Sequence, residues 1–228
     1  MEVIEAIRQR KSIRAFKPDP VPRELLRKII EDALRAPSWA NTQPWEFVVV
    51  TGKKLKDIQN GFLERGEQEP ASEVARPYEF PEPYLSRIQA LSPKGFTPTR
   101  ESMEARRIQN YKNYGAPAMI YLLVDRSMYF QSKGINVWSL YDSGSIVQNI
   151  MLLATNYGLG TVAQAQSVIY PDIIRKFVPI HESKLIALGV AIGYPDWDNP
   201  ANGMRTQREP LDEVVTWYGF GRSIKTSG

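Results

Sequence analysis

The chain has 228 residues, 43% hydrophobic and 24% charged, the balance of a soluble globular protein long enough for a sizeable core. Its formal charge of +4 is modest and dispersed, a weak bias towards anionic ligands that does not indicate a nucleic-acid partner. With no cysteine and a single histidine, it has no disulfide, thiolate nucleophile or iron–sulfur cluster, no metal site is expected, and a Ser-His-Asp triad has almost nothing to draw on.

Residues 2–10 carry Val3, Ile4 and Ile7 at helical spacing, interrupted by charge, so no signal-peptide core is expected. A second helix is expected to begin at Pro22, whose fixed φ suits the first helical position, and to run to about Ala36 before Pro37 stops it. Leu25, Leu26, Ile29, Ile30, Ala33 and Leu34 give it one apolar face. Phe47 to Val50 reads as a short buried strand, and Lys54 to Leu63 as a helix.

Residues 66–113 differ in character. Six prolines fall between Pro70 and Pro98 among many charges, yet Tyr78, Phe80, Tyr84 and Phe96 argue against plain disorder. An inserted excursion packing near a site or a partner chain is expected.

Ala118 to Val124 is a central strand, too short an apolar run to cross a bilayer. Val137 to Tyr157 is the longest predicted helix, with Leu140, Ile146, Val147, Ile150, Met151, Leu153 and Ala154 inward and Gly158 as a left-handed cap. Thr161 to Ala163 starts a strand, Pro171 to Phe177 forms a short helix, and Leu185 to Ile192 is the last core strand. Beyond Pro195 the tail carries Val214, Val215, Trp217, Tyr218 and Phe220 without a core of its own, which suits an arm packed on another subunit. There is no internal repeat, and the chain reads as one domain, 1–228, cytoplasmic and without membrane contact.

Arg10 and Arg14 near one end are matched by Arg205 and Arg208 near the other. Singly, such arginines are mostly solvated surface charge. Together they make sense if four guanidinium groups converge on one anion, since the planar fork matches phosphate oxygens bidentately. Gly158-Leu-Gly160-Thr-Val-Ala163 formally matches the dinucleotide fingerprint, but it closes a helix and opens a strand, the reverse of what that motif requires. In Pro37-Ser-Trp-Ala-Asn-Thr-Gln-Pro-Trp45, Ser38, Asn41, Thr42 and Gln43 lie between two indoles. They form either a helix-stop loop that satisfies its own backbone or an edge for a planar, hydrogen-bonding ring. His181, between Ile180 and Glu182, reads as a structural loop residue, so any redox or group-transfer chemistry must come from a bound cofactor.

Taken in order, Arg10-Lys-Ser-Ile-Arg14-Ala-Phe, Ala36-Pro-Ser-Trp-Ala-Asn-Thr-Gln-Pro-Trp45, Gly158-Leu-Gly-Thr161 and Arg208-Glu-Pro-Leu resemble the FMN-dependent nitroreductase family over nearly the whole chain. The excursion, with Pro81-Glu-Pro-Tyr84 and Tyr114-Gly-Ala-Pro117 beyond it, resembles the branch acting on nitroaromatic compounds such as nitrobenzoate. The resemblance implies an α+β fold, a mixed β-sheet flanked by helices, in a homodimer that exchanges arms (195–228 as the C-terminal one) and holds FMN at its interface. It implies that Arg10, Lys11, Ser12 and Arg14 contact the FMN phosphate, ribityl chain and pyrimidine edge, and that Arg205 and Arg208 close on the phosphate. Pro37, Ser38, Trp39, Asn41 and Gln43 match the loop that reaches the flavin from the other subunit. Gln109 or Asn110, with Lys112 nearby, matches a further polar contact, and the backbone at Ala163, Gln164 and Ala165 falls where family amides face N5 and O4. Val162-Ala163 replaces the Cys-Trp or Cys-Pro of many members, which bears on substrate preference.

The implied activity passes hydride from NAD(P)H through flavin N5 to a nitroaromatic or quinone-like acceptor with ping-pong kinetics. Arg14 or Lys112 would stabilise the charge that reduction places at N1–O2, and no protein acid–base group is required. Alternatives on the same fold are reductive dehalogenation, flavin-consuming and dehydrogenase chemistry. A rival from another class is a basic, non-enzymatic binding module for an acidic partner.

Overall fold

The computed structural model describes residues 1–92 and 95–220; of the two arms expected above, 93–94 in the excursion and 221–228 in the tail lie outside the described residues. Helices α1 (Val3–Gln9) and α2 (Arg23–Ala33) precede strand β1 (Trp45–Thr51) and helix α3 (Gly52–Arg65). The excursion holds α4 (Tyr84–Gln89) and α5 (Arg100–Tyr111) and leads to β2 (Ala118–Asp125). There follow α6 (Arg126–Tyr129), a short ribbon of β3 (Phe130–Gln131) and β4 (Gly134–Ile135), α7 (Val137–Asn156) and β5 (Gly160–Gln164). The chain continues through α8 (Pro171–Phe177) and β6 (Lys184–Gly193) to α9 (Leu211–Val214).

The run Ala118 to Val124 is buried along its whole length because both faces of the sheet are covered. Side chains alternate across a strand, so Ala118, Ile120 and Leu122 meet Ile29 of α2 and Ile146 and Ile150 of α7. Met119, Tyr121 and Leu123 turn the other way, onto Leu55 and Phe62 of α3 and Ile174 of α8. Each of the larger aliphatic side chains contributes roughly 1.5–3 kcal/mol by leaving water, and together they fix the register of the sheet. The strand order is β1-β2-β6-β5, and each neighbouring pair is antiparallel. The mixed character expected of the sheet is confined to an isolated parallel bridge between Ser12 and Thr161 at the β5 edge.

Helix α2 starts just after Pro22, which sits at the N-cap, and ends at Ala33, three residues before the expected end at Ala36. The amide of Leu34 reaches the carbonyls of both Ile30 and Glu31, and that of Ala36 reaches Ala33, tightening the chain into a turn. Pro37 enforces this by disfavouring helical backbone at the residue before it. In α7, Ile146, Val147, Ile150 and Ala154 are buried, while Leu140, Met151 and Leu153 are half-buried. Gly158, at φ +74°, caps it, and the amide of Leu159 returns to the carbonyl of Ala154 at 2.8 Å. Helix α5 was not expected from apolar periodicity, and of its residues only Tyr111 is buried; a capping box between Thr99 and Ser102 starts it. Among the described residues no helix is long and apolar enough to cross a membrane.

Helix α1 and the tail both expose apolar side chains that find no core among the described residues. Helix α1 forms as expected, yet Val3, Ile4 and Ile7 are 70%, 63% and 53% exposed. In the tail, Val214, Trp217, Tyr218 and Phe220 are exposed as well.

The segment after α1 lies against β5, with the amide of Ile13 bonded to the carbonyl of Thr161 at 3.0 Å. Gly160 permits this approach, since a Cβ there would stand 2.5 Å from Ile13 Cγ1 and 2.9 Å from Pro195 Cγ. Gly160→Ala is expected to destabilise the fold by about 1–3 kcal/mol through overpacking. Urea denaturation measures it, and an unchanged midpoint would show that the contact is not tight.

Candidate active site

The two ends of the chain are sewn together beside β5. In the segment that carries the first arginine pair, Ile13, Ala15 and Phe16 are buried while Lys11, Ser12 and Arg14 are half-buried. The amide of Lys17 bonds the carbonyl of Tyr194 at 2.8 Å, and that of Asp196 bonds Ala15 at 3.1 Å. Asn202, 2% exposed, is the clip. Its Oδ1 accepts from the amide of Arg14 at 2.7 Å, and its Nδ2 donates to the carbonyls of Ala15 at 2.8 Å and Asp196 at 2.7 Å. The Lys11 ammonium donates to the Asn202 carbonyl. Asn202 was not singled out in the sequence; its only signal is a turn composition, Asp-Asn-Pro-Ala-Asn-Gly, shared by many loops.

Beside this clip Arg10, Lys11 and Arg205 line one cavity of about 430 Å³, walled by Gly158 to Gly160 and Trp197. The Lys11 ammonium stands 5.0 Å from the centre of the Trp197 ring. No carboxylate lines this cavity among the described residues. The Arg10 guanidinium is held below its usual pKa by burial and then by the charge of Arg208, which places that fourth basic group in range of Arg10. Arg208 leans on its own loop, donating to Thr206 Oγ1 at 2.8 Å and to the Gln207 carbonyl at 2.9 Å. Gathered cations without a counter-charge repel one another, and an anion of two charges turns that cost into attraction.

Across the 10–17 segment opens a larger cleft of about 1510 Å³. Arg14, Gln109 and Lys112 line it, together with Phe16, Tyr114 and Met204, and the excursion adds Ile88, Leu91 and Phe96. Asn110 is committed elsewhere: its Oδ1 accepts from the Tyr114 hydroxyl at 3.0 Å and from Gln164 Nε2 at 3.4 Å. Asn113 and Tyr114 adopt φ of +49° and +56°, a costly left-handed backbone for both. Gln59 and Gln164 hold Asn113 there, at 3.1 and 3.3 Å. The Gln164 side chain is thus buried in the scaffold, whereas Ala163 and Ala165 on either side of it are exposed. His181 lies in a turn, its Nδ1 2.9 Å from Ser183 Oγ.

The loop 37–43 is not part of this gathering. Pro37, Trp39, Asn41 and Gln43 are exposed, Ser38 Oγ accepts from the Gln43 amide at 3.0 Å, and Gln43 Nε2 donates to the Asn41 carbonyl at 3.3 Å. Ala40, Asn41 and Gln43 adopt φ of +46°, +60° and +47°. The buried carboxylate of Asp142 accepts from the Trp39 amide at 3.0 Å, and Trp39 packs on Trp138 with ring centres 5.0 Å apart. Asp142 lies thirteen residues before Thr155, another residue of the cavity wall, which puts the loop about 20 Å along α7 from the basic cluster.

A family model described as Nitroreductase family matches residues 7–194. The chain is 28% identical over 232 residues to a 4-nitrobenzoate reductase of Nocardioides sp., covering 95% of this chain and 90% of that one. Among solved structures, an FMN and NADPH-dependent nitroreductase NfnB from Sphigopyxis sp. strain HMH superposes with a TM-score of 0.86 at 32% identity, covering 96% of this chain and 100% of that one. The FMN-dependent NfnB of Mycobacterium smegmatis, solved with NADPH, gives a TM-score of 0.84 at 26% identity, over 95% and 98% of the two chains.

Asn202→Ala removes three buried hydrogen bonds and leaves their partners to find water. A loss of about 2–4 kcal/mol is expected by chemical denaturation. A loss below about 0.5 kcal/mol would show that the clip does not hold the two ends together.

Proposed function

The chain belongs to the nitroreductase family, and on that premise we propose that it is an FMN-dependent oxidoreductase, passing hydride from NAD(P)H to nitroaromatic or quinone-like acceptors as a homodimer. The observation that carries this reading is the gathering of Arg10, Lys11 and Arg205 from both ends of the chain around a cavity with no carboxylate on its lining among the described residues, with Arg208 close enough for its charge to act on Arg10. That donor set suits a phosphate dianion. FMN, when bound, supplies a two-electron carrier that takes hydride at N5 and gives it up to an acceptor.

The residues of this chain hold and tune that group. Arg10, Lys11, Arg205 and Arg208 grip the phosphate, and Ser12 lies on the path between the phosphate cavity and the cleft. Arg14, Gln109 and Lys112 line the cleft and offer two cations and an amide to the ring edge where negative charge gathers on reduction. The exposed backbone at Ala163 and Ala165 supplies the neighbouring amide contacts. Of the two polar candidates on α5, Gln109 is the one free to face the ring, because Asn110 is taken by Tyr114 and Gln164.

The separation of the 37–43 loop from the basic cluster supports a second copy of the chain. Pro37, Ser38, Trp39, Asn41 and Gln43 then serve the site of the opposite subunit. The exposed apolar faces of α1 and the tail are the surfaces that such a dimer would cover. Residues 1–228 act as a single domain in this arrangement, with the 66–113 excursion and the tail from 195 onwards as its arms. Donor and acceptor use the same cleft in turn, which gives ping-pong kinetics, and a cytoplasmic location suits a reaction fed by NAD(P)H.

Purified protein should be yellow, bleach under anaerobic NAD(P)H, and oxidise the nucleotide steadily only when a nitroarene is added. A colourless protein with salt-sensitive binding to acidic partners would instead favour the basic binding module. Arg208→Ala should raise the FMN dissociation constant about 10- to 150-fold, read from the fluorescence of released flavin; an unchanged constant would remove the phosphate assignment. Ile4→Glu on the exposed face of α1 should shift the dimer towards monomer in sedimentation and reduce flavin retention. A dimer that persists with full flavin would place α1 outside the interface.

A further inference from the structure

The large cleft has a basic side chain that the proposed flavin contacts leave unused. Arg106 lines it from α5, one helical turn before Gln109, and is exposed. Its helix neighbour Arg107 is paired with Glu67 and Glu104, and Arg87 of the excursion is paired with Glu209 at 2.8 Å. Arg106 has no acidic partner among the described residues. Asp196 is the one carboxylate on the cleft lining among the described residues, and its Oδ1 accepts from the amide of Asp198 at 3.2 Å. The same lining carries Arg14 and Lys112, so the cleft has three cations to one anion.

The excursion's share of the lining mixes apolar side chains with Ser86, Gln89 and Ser92. Ile88 and Leu91 of the excursion face the cleft, and Phe96 supplies a ring. A flat apolar body with one negative group matches that combination, the body against the excursion and the charge on the guanidinium. Lysine would offer a point charge here; arginine offers a fork that fits the two oxygens of a carboxylate.

We propose that Arg106 is a specificity-determining residue that selects aromatic acceptors bearing a carboxylate, binding that group while the ring lies against the excursion. The assignment rests on the reductase reading above. Its chemistry is a charge-assisted bidentate hydrogen bond, and it involves no proton or electron transfer at Arg106.

The test compares 4-nitrobenzoate with 4-nitrobenzamide, which has the same ring and nitro group but no charge. In the FMN-loaded protein, the ratio of kcat/KM for the acid over the amide should fall about 10- to 150-fold in Arg106→Gln, and Arg106→Lys should recover part of it. Calorimetric titration with benzoate and benzamide should show the same selective loss of acid affinity without turnover, in variants whose circular dichroism matches the parent. An unchanged acid-to-amide ratio overturns the proposal. So does a change confined to the KM for NADPH relative to NADH, which would assign the guanidinium to the nucleotide phosphate. If the parent reduces neither compound, the nitroaromatic part of the reductase reading fails, and the benzoate and benzamide titrations still decide the role of Arg106.

Discussion

The close approach of the 10–17 segment to β5 and to the exit of β6 is the constraint on which the rest of the architecture depends. A bare Cα at Gly160 lets Ile13 and Pro195 both pack close against it, and the Asn202 amide then ties the backbone at Arg14 and Ala15 to the beginning of the tail. Those contacts are apolar packing and neutral hydrogen bonds, neither of which depends on a ligand. They hold Arg10, Lys11 and Arg205 around one cavity in spite of their mutual repulsion. The sheet core, with both faces of β2 covered, supplies the stability against which that repulsion is set.

A second theme is incompleteness. Helix α1 presents its isoleucines and valine outward, Trp39 and Trp138 pack together at the surface, and the tail's aromatics are exposed, without a core among the described residues. A loop holding three left-handed residues is costly to maintain unless something needs its shape. The proposed dimer accounts for all four features at once, because the surfaces that lack cover are those that a flavin site shared between subunits would bury.

Much of the fold could be read from the chain because it is carried by local pattern. The apolar run of β2, the 3.6-residue stripe of α7 with Gly158 behind it, and Pro171 at the head of α8 each announce their element. Helix α2 stopped early because the turn before Pro37 outweighed an apolar face that continues to Leu34. Helix α5 escaped notice because of its twelve residues only Tyr111 is buried, so it shows little apolar period. Of the site, the basic side chains were visible as residue types, and their convergence was an inference from number and order alone. Asn202 could not be found that way. Its role depends on which carbonyls the fold brings within reach of one buried amide, and nothing local to position 202 encodes that. The different surroundings of Gln109 and Asn110 likewise follow from the helix phase, which turns one to the cleft and the other to Gln164.

That the charged side chains lining the smaller cavity are all cations, among the described residues, has a consequence for acidic conditions. Guanidinium groups keep their charge throughout the interval in which a phosphate monoester acquires its second negative charge, near pH 6. Below that point the guest, rather than the host, loses half of what the arginines attract. Flavin shed on mild acidification would thus report the ionisation of its own phosphate, and neutralising the solution would restore it without any refolding of the chain.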